Sequence, residues 1–377
     1  MNSDQHPSPA LPTLTVVVPS FNQGETIEQT LISICDHNAM DGVEVLVFDA
    51  CSTDGTERVL DAWKSRCTVI QEKDRGQSDA INKGFKRASG DIVCWLNTDD
   101  MFFPGALDRV RTLFAENPEA GVISGRGVHL KKDGSFDILF PEGPDLSERN
   151  IQSMRIDLLQ PAVFFRRSSL EQIGGINPDL QYLMDLDLWM RFVKAGVKWK
   201  LVDDFFSSAR VYPETKTSSG GWTRLREHMK LTRRHTGSMF SRTTLSLLMT
   251  WGMASPYPRL QKLFEILYRV YTLMRSGSVR PPRHQPLECL GETRVSFPWY
   301  QGSCDSIRVC LERLDGTAGA AKVRILCDGV EWEGPFHAGE NEIELRGDFA
   351  SPLFSVSVET SPPVVFKLLN VIPGRKF

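Results

Sequence analysis

Several aspartates sit where carboxylates are hard to place. Asp49 directly follows the apolar run Val43–Phe48, and Asp99 and Asp100 come just after the run Asp91–Leu96. Runs of this composition read as strands buried on both faces. Gathering carboxylates at the ends of such strands is costly unless a cation or hydrogen-bond donors compensate the lost hydration. Another pair, Asp185 and Asp187, stands at the start of a segment with helical apolar spacing, where the helix dipole favours negative charge. Carboxylates grouped in this way suit two tasks, holding a hard divalent ion through oxygen and accepting the proton of an attacking hydroxyl.

The elements that would position them follow a regular order. Thr13–Pro19 is a β-branched run that ends at Ser20, Phe21 and Asn22, and a helix opens at Gly24–Glu25 with Ile27, Leu31 and Ile34 on one face. After Val43–Phe48 comes the turn Ser52–Gly55 and a helix through Leu60 and Trp63, then a short strand, Thr68–Gln71. Ser78 is read as the cap of a helix carrying Ile81, Phe85 and Ala88, closed by Gly90. Asp91–Leu96 is a fourth strand, followed by a helix over 104–116 and a strand over 121–130. Strands alternating with helices predict an α/β fold with a doubly wound, mostly parallel sheet, whose ligands bind beyond the carboxyl ends of the strands. Near residue 185 a second helix is expected, with Leu186, Trp189, Met190 and Val193 as its apolar stripe.

Charge divides the rest of the chain. Residues 1–215 hold 22 Lys/Arg against 32 Asp/Glu, residues 216–283 hold 13 against 2, and residues 284–377 hold 9 against 13. Such an asymmetry within a net charge of −3 predicts separate functional pieces. The N-terminal residues 1–12 are polar and Pro-rich and are expected to be disordered, with no signal peptide. The chemistry falls to residues 13–220. Residues 221–283 form a basic helical segment, in which Leu260–Met274 has helical amphipathic spacing, and 280–286 is a linker. Residues 287–377 alternate in short runs between turns, the pattern of a small all-β sandwich. The eight cysteines form no CxxC pair or Cys/His cluster, which points to a reducing compartment and no structural zinc. The run Leu245–Ala254 is too short to span a bilayer, so the expected location is cytoplasmic, at most peripheral on the inner membrane face.

Four segments, taken in order, resemble the family 2 glycosyltransferases with the GT-A fold: VVVPSFN (16–22), VFDACSTDGT (47–56), EKDRGQSDAINKGFKRASGDIVCWLNTDD (72–100) and GGINPDLQYLMDLDLWMRFVKAG (174–196). The resemblance covers about residues 13–220 and implies a GT-A Rossmann-like sheet with flanking helices. It implies an inverting transfer of a sugar from a nucleoside-diphosphate sugar, UDP favoured, to an acceptor hydroxyl in polysaccharide or surface-glycan assembly. Pro19, Phe21 and Asn22 would line the nucleotide pocket, and Asp49 would accept from the base. Asp74, Gly76, Asp79 and Asn82 would border the nucleotide and donor sugar. Asn97, Asp99 and Asp100 stand at the family's DxD-type motif, with Asp99 toward the ribose or sugar and Asp100, assisted by Asp99, on Mn²⁺ or Mg²⁺. Asp185 would be the catalytic base.

The sequence departs from that pattern at Asn97, where an acid is usual, at Met184, where Glu is usual, and at Tyr212, where many relatives carry a metal-binding His. Asp187 competes with Asp185 for the role of base, and Gln160-Pro161 reads either as a ligand contact or as loop punctuation. The basic stretch is either ordinary core or a helix on an anionic membrane surface, contacting it through residues 216–283. Within it, Arg233, Arg234 and His235 could meet a diphosphate or a lipid-linked acceptor. The acceptor class is a glycan or a lipid-linked glycan, and nucleic acid is not expected, since aromatics do not interleave with the charges and the net charge is negative. Competing readings are a sugar nucleotidyltransferase, disfavoured by the single Gly and absent base in PSFNQGET, and a catalytically silent scaffold whose β-domain binds glycans through Trp299, Tyr300 or Trp332. The absence of GxxxxGK and of GxGxxG after the first strand excludes P-loop and dinucleotide-dependent enzymes.

Overall fold

A computed structural model describes residues 11–131, 136–139, 158–211 and 221–238, isolated positions between 244 and 264, and most of 287–374. The chain divides into two compact units, Met1–Gly125 with Gln160–Phe206, and Arg126–Leu159 with Ser207–Phe377.

In the first unit the parallel part of the sheet is built by β1 (Leu14–Ser20), β2 (Val43–Asp49), β3 (Thr68–Gln71) and β4 (Ile92–Trp95). β1 lies between β2 and β4, parallel to both, and β2 pairs in parallel with β3. Every residue of β1 and β4 is buried, as continuous β-branched runs require when helices cover both faces. The helices between them are α1 (Ile27–Cys35), α2 (Thr56–Trp63) and α3 (Gln77–Arg87). Then follow β5 (Met101–Phe102), α4 (Ala106–Glu116), β6 (Val122–Lys131), β7 (Phe136–Leu139), β8 (Val163–Arg166), α5 (Arg167–Ile173), α6 (Met184–Lys194) and β9 (Trp199–Val211). The sheet runs β3-β2-β1-β4-β8-β6-β9-β5, with β7 beside β6, and turns antiparallel at β8.

Under this sheet an aromatic cluster locks α3 and α6 onto β4 and β8. Trp95 stacks on Trp189 at 6.0 Å between centroids, Phe85 and Phe165 meet the pair edge-on, and Phe192 stacks on Trp189 at 6.2 Å. The buried face of α6 differs from the expected stripe: Leu188, Trp189, Met190 and Phe192 are buried, whereas Leu186 and Val193 are only half-buried. The shift arises because Asp187 points inward, fully buried, on an ion pair with Arg191.

α3 also corrects two expectations. It begins after Gly76, with Ser78 inside its first turn donating to the Leu180 carbonyl at 2.6 Å rather than capping the helix. It ends at Arg87, because Ala88 turns extended with ψ 128°, so Gly90 belongs to the approach to β4. α1 likewise starts at Ile27, two residues beyond Glu25, with Ile27, Leu31 and Ile34 fully buried as expected. Cys35, Cys67 and Cys94 are buried free thiols, whereas Cys51 is exposed.

The second unit contains α7 (Gly221–Thr236) and two four-stranded antiparallel sheets. The strands are β10 (Leu287–Leu290), β11 (Glu292–Pro298), β12 (Cys304–Arg313), β13 (Ala321–Cys327), β14 (Val330–Phe336), β15 (Gly339–Phe349), β16 (Leu353–Ser361) and β17 (Val365–Gly374). One sheet is ordered β10-β17-β12-β15 and the other β11-β16-β13-β14. Val309, Leu311, Val323, Ile325, Leu345 and Val358 are buried along them, alternating with exposed residues where both are described. Trp332 is half-buried opposite Ile325, its ring covering Gly334, which is a packing role. Trp299, Tyr300, Tyr212, all of the run Leu245–Ala254 but Leu248, and nearly all of the expected amphipathic helix 260–274 lie outside the described residues. Among the described residues no helix is long and apolar enough to cross a membrane.

The approach of α3 to β1 rests on Gly84, where a Cβ would stand 2.3 Å from Val17 Cγ1. Helix propensity alone would make Gly84→Ala stabilising by up to about 1 kcal/mol. Overpacking against a fully buried Val17 opposes it by about 1–3 kcal/mol. Chemical denaturation is therefore expected to show a net loss of stability in Gly84→Ala. A gain would mean that Val17 repacks freely and that α3 is not held tightly on β1.

Candidate active site

The carboxyl ends of β1 and β2 are in register, with Ser20 beside Asp49. Asp49 is 1% exposed, and its carboxylate accepts from Ser20 Oγ at 3.1 Å, Ser52 N at 2.9 Å and Ser52 Oγ at 2.5 Å. Asn22 continues the tie between the two loops: its N–H donates to Ser52 Oγ at 2.8 Å and its Oδ1 accepts from Thr53 N at 2.9 Å. Asn22 does so with φ 52°, a left-handed geometry that Asn tolerates better than most residues. Asp54 braces the same corner through Gly24 N and Thr56 N, and these bonds, with that of the Thr56 hydroxyl first, hold its carboxyl below the usual carboxylate range. Pro19 is buried within β1, whereas Phe21 stands 58% exposed at the rim, an aromatic face open to a ring.

A second loop enters α3 through Gly76, whose φ of 120° favours glycine. Asp74 accepts from Gly76 N at 2.7 Å, and Asp79 reaches back to accept from Arg75 N at 3.1 Å. Burial would raise the Asp79 carboxyl, but the bonds from Arg75 and the charges of Arg75 and Lys83 outweigh it and hold it below its ordinary range. Asn82 has a different task from the ligand contact expected of it. Its amide donates to the Ile176 carbonyl at 2.7 Å and accepts from Ile176 N at 2.9 Å, clamping the turn that leads toward α6.

Beyond β4 the loop Asn97–Asp100 carries the carboxylates. Asp100 is 5% exposed and held from both ends, its N–H on the Asn97 carbonyl at 3.0 Å and its carbonyl on Thr30 Oγ1 of α1 at 2.8 Å. Asn97 Nδ2 donates to Asp100 Oδ2 at 3.0 Å and faces Gln160 Oε1 at 3.3 Å, while Asn97 Oδ1 accepts from Gln77 Nε2 at 2.7 Å. Gln160 Nε2 ends the chain on the Trp95 carbonyl at 2.9 Å. Asp99, in the same turn, is half-buried. Among the described residues no three His, Cys, Asp or Glu groups gather as a metal cage. One or two hard carboxylate oxygens fit an ion such as Mg²⁺ or Mn²⁺ that completes its shell with phosphate and water, and they do not suit zinc.

The two aspartates of α6 separate cleanly. Asp187 Oδ2 accepts from Arg191 Nε at 2.8 Å, and Arg191 Nη1 donates to the Ile173 and Gly175 carbonyls at 2.9 and 2.6 Å. That buried pair is structural. Asp185, one residue after Met184, is half-buried, and the Met184 sulfur accepts from Ser78 Oγ at 2.9 Å. The first turn of α6 is thus tied to the first turn of α3, the helix that also supplies Gln77. Ser52, Gln77 and Thr30, which brace the segments carrying these carboxylates, are residues that sequence reasoning passed over. The ST spacing after Asp49 was a usable signal for Ser52, and nothing local marks the other two.

A mostly parallel α/β sheet with aspartates at its strand ends, and Asp185 in the first turn of α6, has the architecture that the GT-A resemblance implies. Residues 15–174 match the family model described as glycosyl transferase family 2. Over that segment the chain is similar to the family 2 glycosyltransferases. It is 27% identical over 223 residues to the putative teichuronic acid biosynthesis glycosyltransferase TuaG of Bacillus subtilis, covering 55% of this chain and 86% of TuaG. It is 25% identical to the amylovoran biosynthesis glycosyltransferase AmsE of Erwinia amylovora, covering 67% of this chain and 97% of AmsE. Three further relatives are matched over only 54%, 60% and 63% of their own length. Among solved structures, the mannosyltransferase PcManGT of Pyrobaculum calidifontis, in complex with GDP-Man and Mn²⁺, aligns with a TM-score of 0.48 at 19% identity, over 73% of this chain and 78% of that one.

Removing Asp187 strands Arg191 against two carbonyls with no counter-charge. Asp187→Ala is expected to lower unfolding free energy by about 3–5 kcal/mol, the cost of leaving one member of a buried pair behind. Asp185→Asn, at a half-buried position and with side-chain size kept, is expected to melt within a few degrees of the parent. Equal melting temperatures for Asp187→Ala and the parent would show that the Arg191 pair does not carry α6.

Proposed function

We propose that this chain transfers a sugar from a nucleoside-diphosphate sugar, with UDP as the first nucleotide to test, to an acceptor hydroxyl, inverting the anomeric centre. The observation that carries this reading is the separation of the two α6 aspartates. Asp187 is fully buried on Arg191, whereas Asp185 is half-buried in the first turn of the same helix, which favours Asp185 as the base. Asp185 takes the proton of the acceptor hydroxyl as its oxygen forms the bond to the anomeric carbon. The bond from that carbon to the diphosphate breaks, and its electron pair leaves with the nucleotide. One base and one displacement give inversion, since retention by double displacement needs a second carboxylate as nucleophile, by analogy with glycosidases.

Asp100, with Asp99 beside it, would hold Mn²⁺ or Mg²⁺, which supplies neutralisation of the charge that develops on the leaving diphosphate. Phe21, Asn22 and Asp49 form the corner for the nucleotide, and Asp74, Gly76 and Asp79 shape the loop nearest the donor sugar. Asn82 acts elsewhere, clamping through Ile176 the turn that leads toward α6. Names such as teichuronic acid and amylovoran biosynthesis among the relatives support a polysaccharide or surface-glycan product built on a glycan or lipid-linked acceptor. Nucleic acid has no place in the reading.

The direct test is thermal stability against UDP, dTDP, GDP and CMP, with and without Mn²⁺, on the parent and on Asp100→Ala. At a hundred times its dissociation constant a ligand stabilises by about 2.7 kcal/mol, a readily measured shift. One nucleotide is expected to stabilise the parent with Mn²⁺ and to lose that increment in Asp100→Ala. Silence from every nucleotide under every metal would end the transferase reading of the site.

α7 supports peripheral attachment to an anionic membrane within 216–283. Its exposed residues include Trp222, Arg226, Lys230 and Arg233, spaced so that they share one side, and the Arg226 guanidinium lies 5.3 Å over the Trp222 ring. At about 1 kcal/mol per basic residue, Ala at 226, 230 and 233 is expected to weaken binding to phosphatidylglycerol vesicles by roughly a hundredfold. Sedimentation with vesicles measures it. Equal binding by the triple variant, or equal binding to neutral phosphatidylcholine vesicles, would remove the membrane from the account.

A further inference from the structure

The three amides beside Asp100 admit one self-consistent arrangement. At one end stands the Trp95 carbonyl and at the other the Asp100 carboxylate, both acceptors only when the acid is ionised. Gln160 must therefore turn its Nε2 to Trp95 O, which leaves its Oε1 toward Asn97. Asn97 must turn Nδ2 to both Gln160 Oε1 and Asp100 Oδ2, which leaves its Oδ1 to accept from Gln77 Nε2. Reversing Asn97 would put its oxygen 3.0 Å from Asp100 Oδ2 and 3.3 Å from Gln160 Oε1, two repulsions in place of two bonds. A carboxylate at this position would have the reversed polarity permanently.

We infer that Gln77 and Gln160 are positioning residues, which act through Asn97 to aim the Asp100 carboxylate, and that Asn97 is a donor clamp rather than a weakened metal ligand. The inference rests on the transferase reading above and gives the asparagine at the head of the NTDD segment a physical reason. Gln160 is fixed by β4, through the Trp95 carbonyl, and Gln77 by the first turn of α3. The direction of the Asp100 carboxylate is thus set by two elements 20 and 63 residues away from Asn97 in the chain. Together with the backbone ties of Asp100 to Asn97 and Thr30, this leaves the carboxylate little freedom to turn.

The test is the Mn²⁺ dissociation constant in the presence of the stabilising nucleotide, read from the electron paramagnetic resonance signal of free Mn²⁺, with the melting temperature of each ligand-free variant alongside. Gln160→Met and Gln77→Met keep side-chain size and remove the amide. Each is expected to weaken Mn²⁺ by about tenfold, the lower end of what partners of metal-binding side chains contribute, with metal-free nucleotide binding unchanged. Asn97→Asp adds a carboxylate yet is expected to weaken Mn²⁺ as well. Unchanged Mn²⁺ affinity in the folded glutamine variants, or tighter Mn²⁺ in Asn97→Asp, overturns the clamp. If Gln160→Met does not fold, Gln77→Met, which leaves the Trp95 bond intact, carries the same expectation. A parent protein that binds nucleotide and no Mn²⁺ overturns the clamp alone, whereas a parent that binds neither overturns the transferase reading with it.

Discussion

Burying a carboxylate costs several kcal/mol after relaxation, and a hydrogen bond to a charged group returns about 1.5–3 kcal/mol. That exchange organises the first unit. Asp49 is almost fully buried and survives there on three donors from Ser20 and Ser52, which in turn fix the loops after β1 and β2. Asp187 survives on Arg191, which in turn fixes the turn between α5 and α6. Asp100 survives beside Asn97, which draws Gln77 and Gln160 into place. In each case the donor that makes a carboxylate tolerable also joins two elements distant in sequence.

This division of labour separates acids that hold the scaffold from those that the proposed function assigns to a ligand. Asp54, Asp79 and Asp187 are engaged mainly with loops and helices of their own surroundings. Asp99, Asp100 and Asp185 lie on a turn beyond β4 and in the first turn of α6, the two segments that the aromatic cluster of Trp95 and Trp189 holds in fixed relation. A stacked pair with centroids 6.0 Å apart, packed on by three phenylalanines, makes that relation stiff. Preorganisation of this kind is what catalysis by positioned carboxylates needs, because misplacement by about 1 Å can cost a hundredfold.

Much of this was legible in the residues. Runs such as VVVP and VEVLVF announce parallel strands because burial on both faces removes the polar alternation. The aspartates after them announce a site because they interrupt that pattern. The β-sandwich strands were legible from alternation alone. What was hidden depended on partners far along the chain. Asn82 looks like a ligand contact until its amide is seen on Ile176, 94 residues away. Gln77 carries no local mark, and Gln160 reads from the sequence only as a ligand contact or as loop punctuation. The start of α3 misled because Ser78 is a good cap by type, yet Asp74 and Asp79 hold the loop and leave the serine for Leu180. The inward turn of Asp187 was available in principle, since Arg191 follows it by four residues, the spacing of an ion pair on one helix face.

The account stands on a single displacement assisted by Asp185. With the donor nucleotide in hand, proton NMR of the newly made glycosidic bond reads the anomeric configuration directly. Inversion relative to the donor, lost together with turnover in Asp185→Asn, is the predicted result. Retention of configuration, or full turnover by Asp185→Asn, would contradict it and send the search for the reacting carboxylate elsewhere in the site.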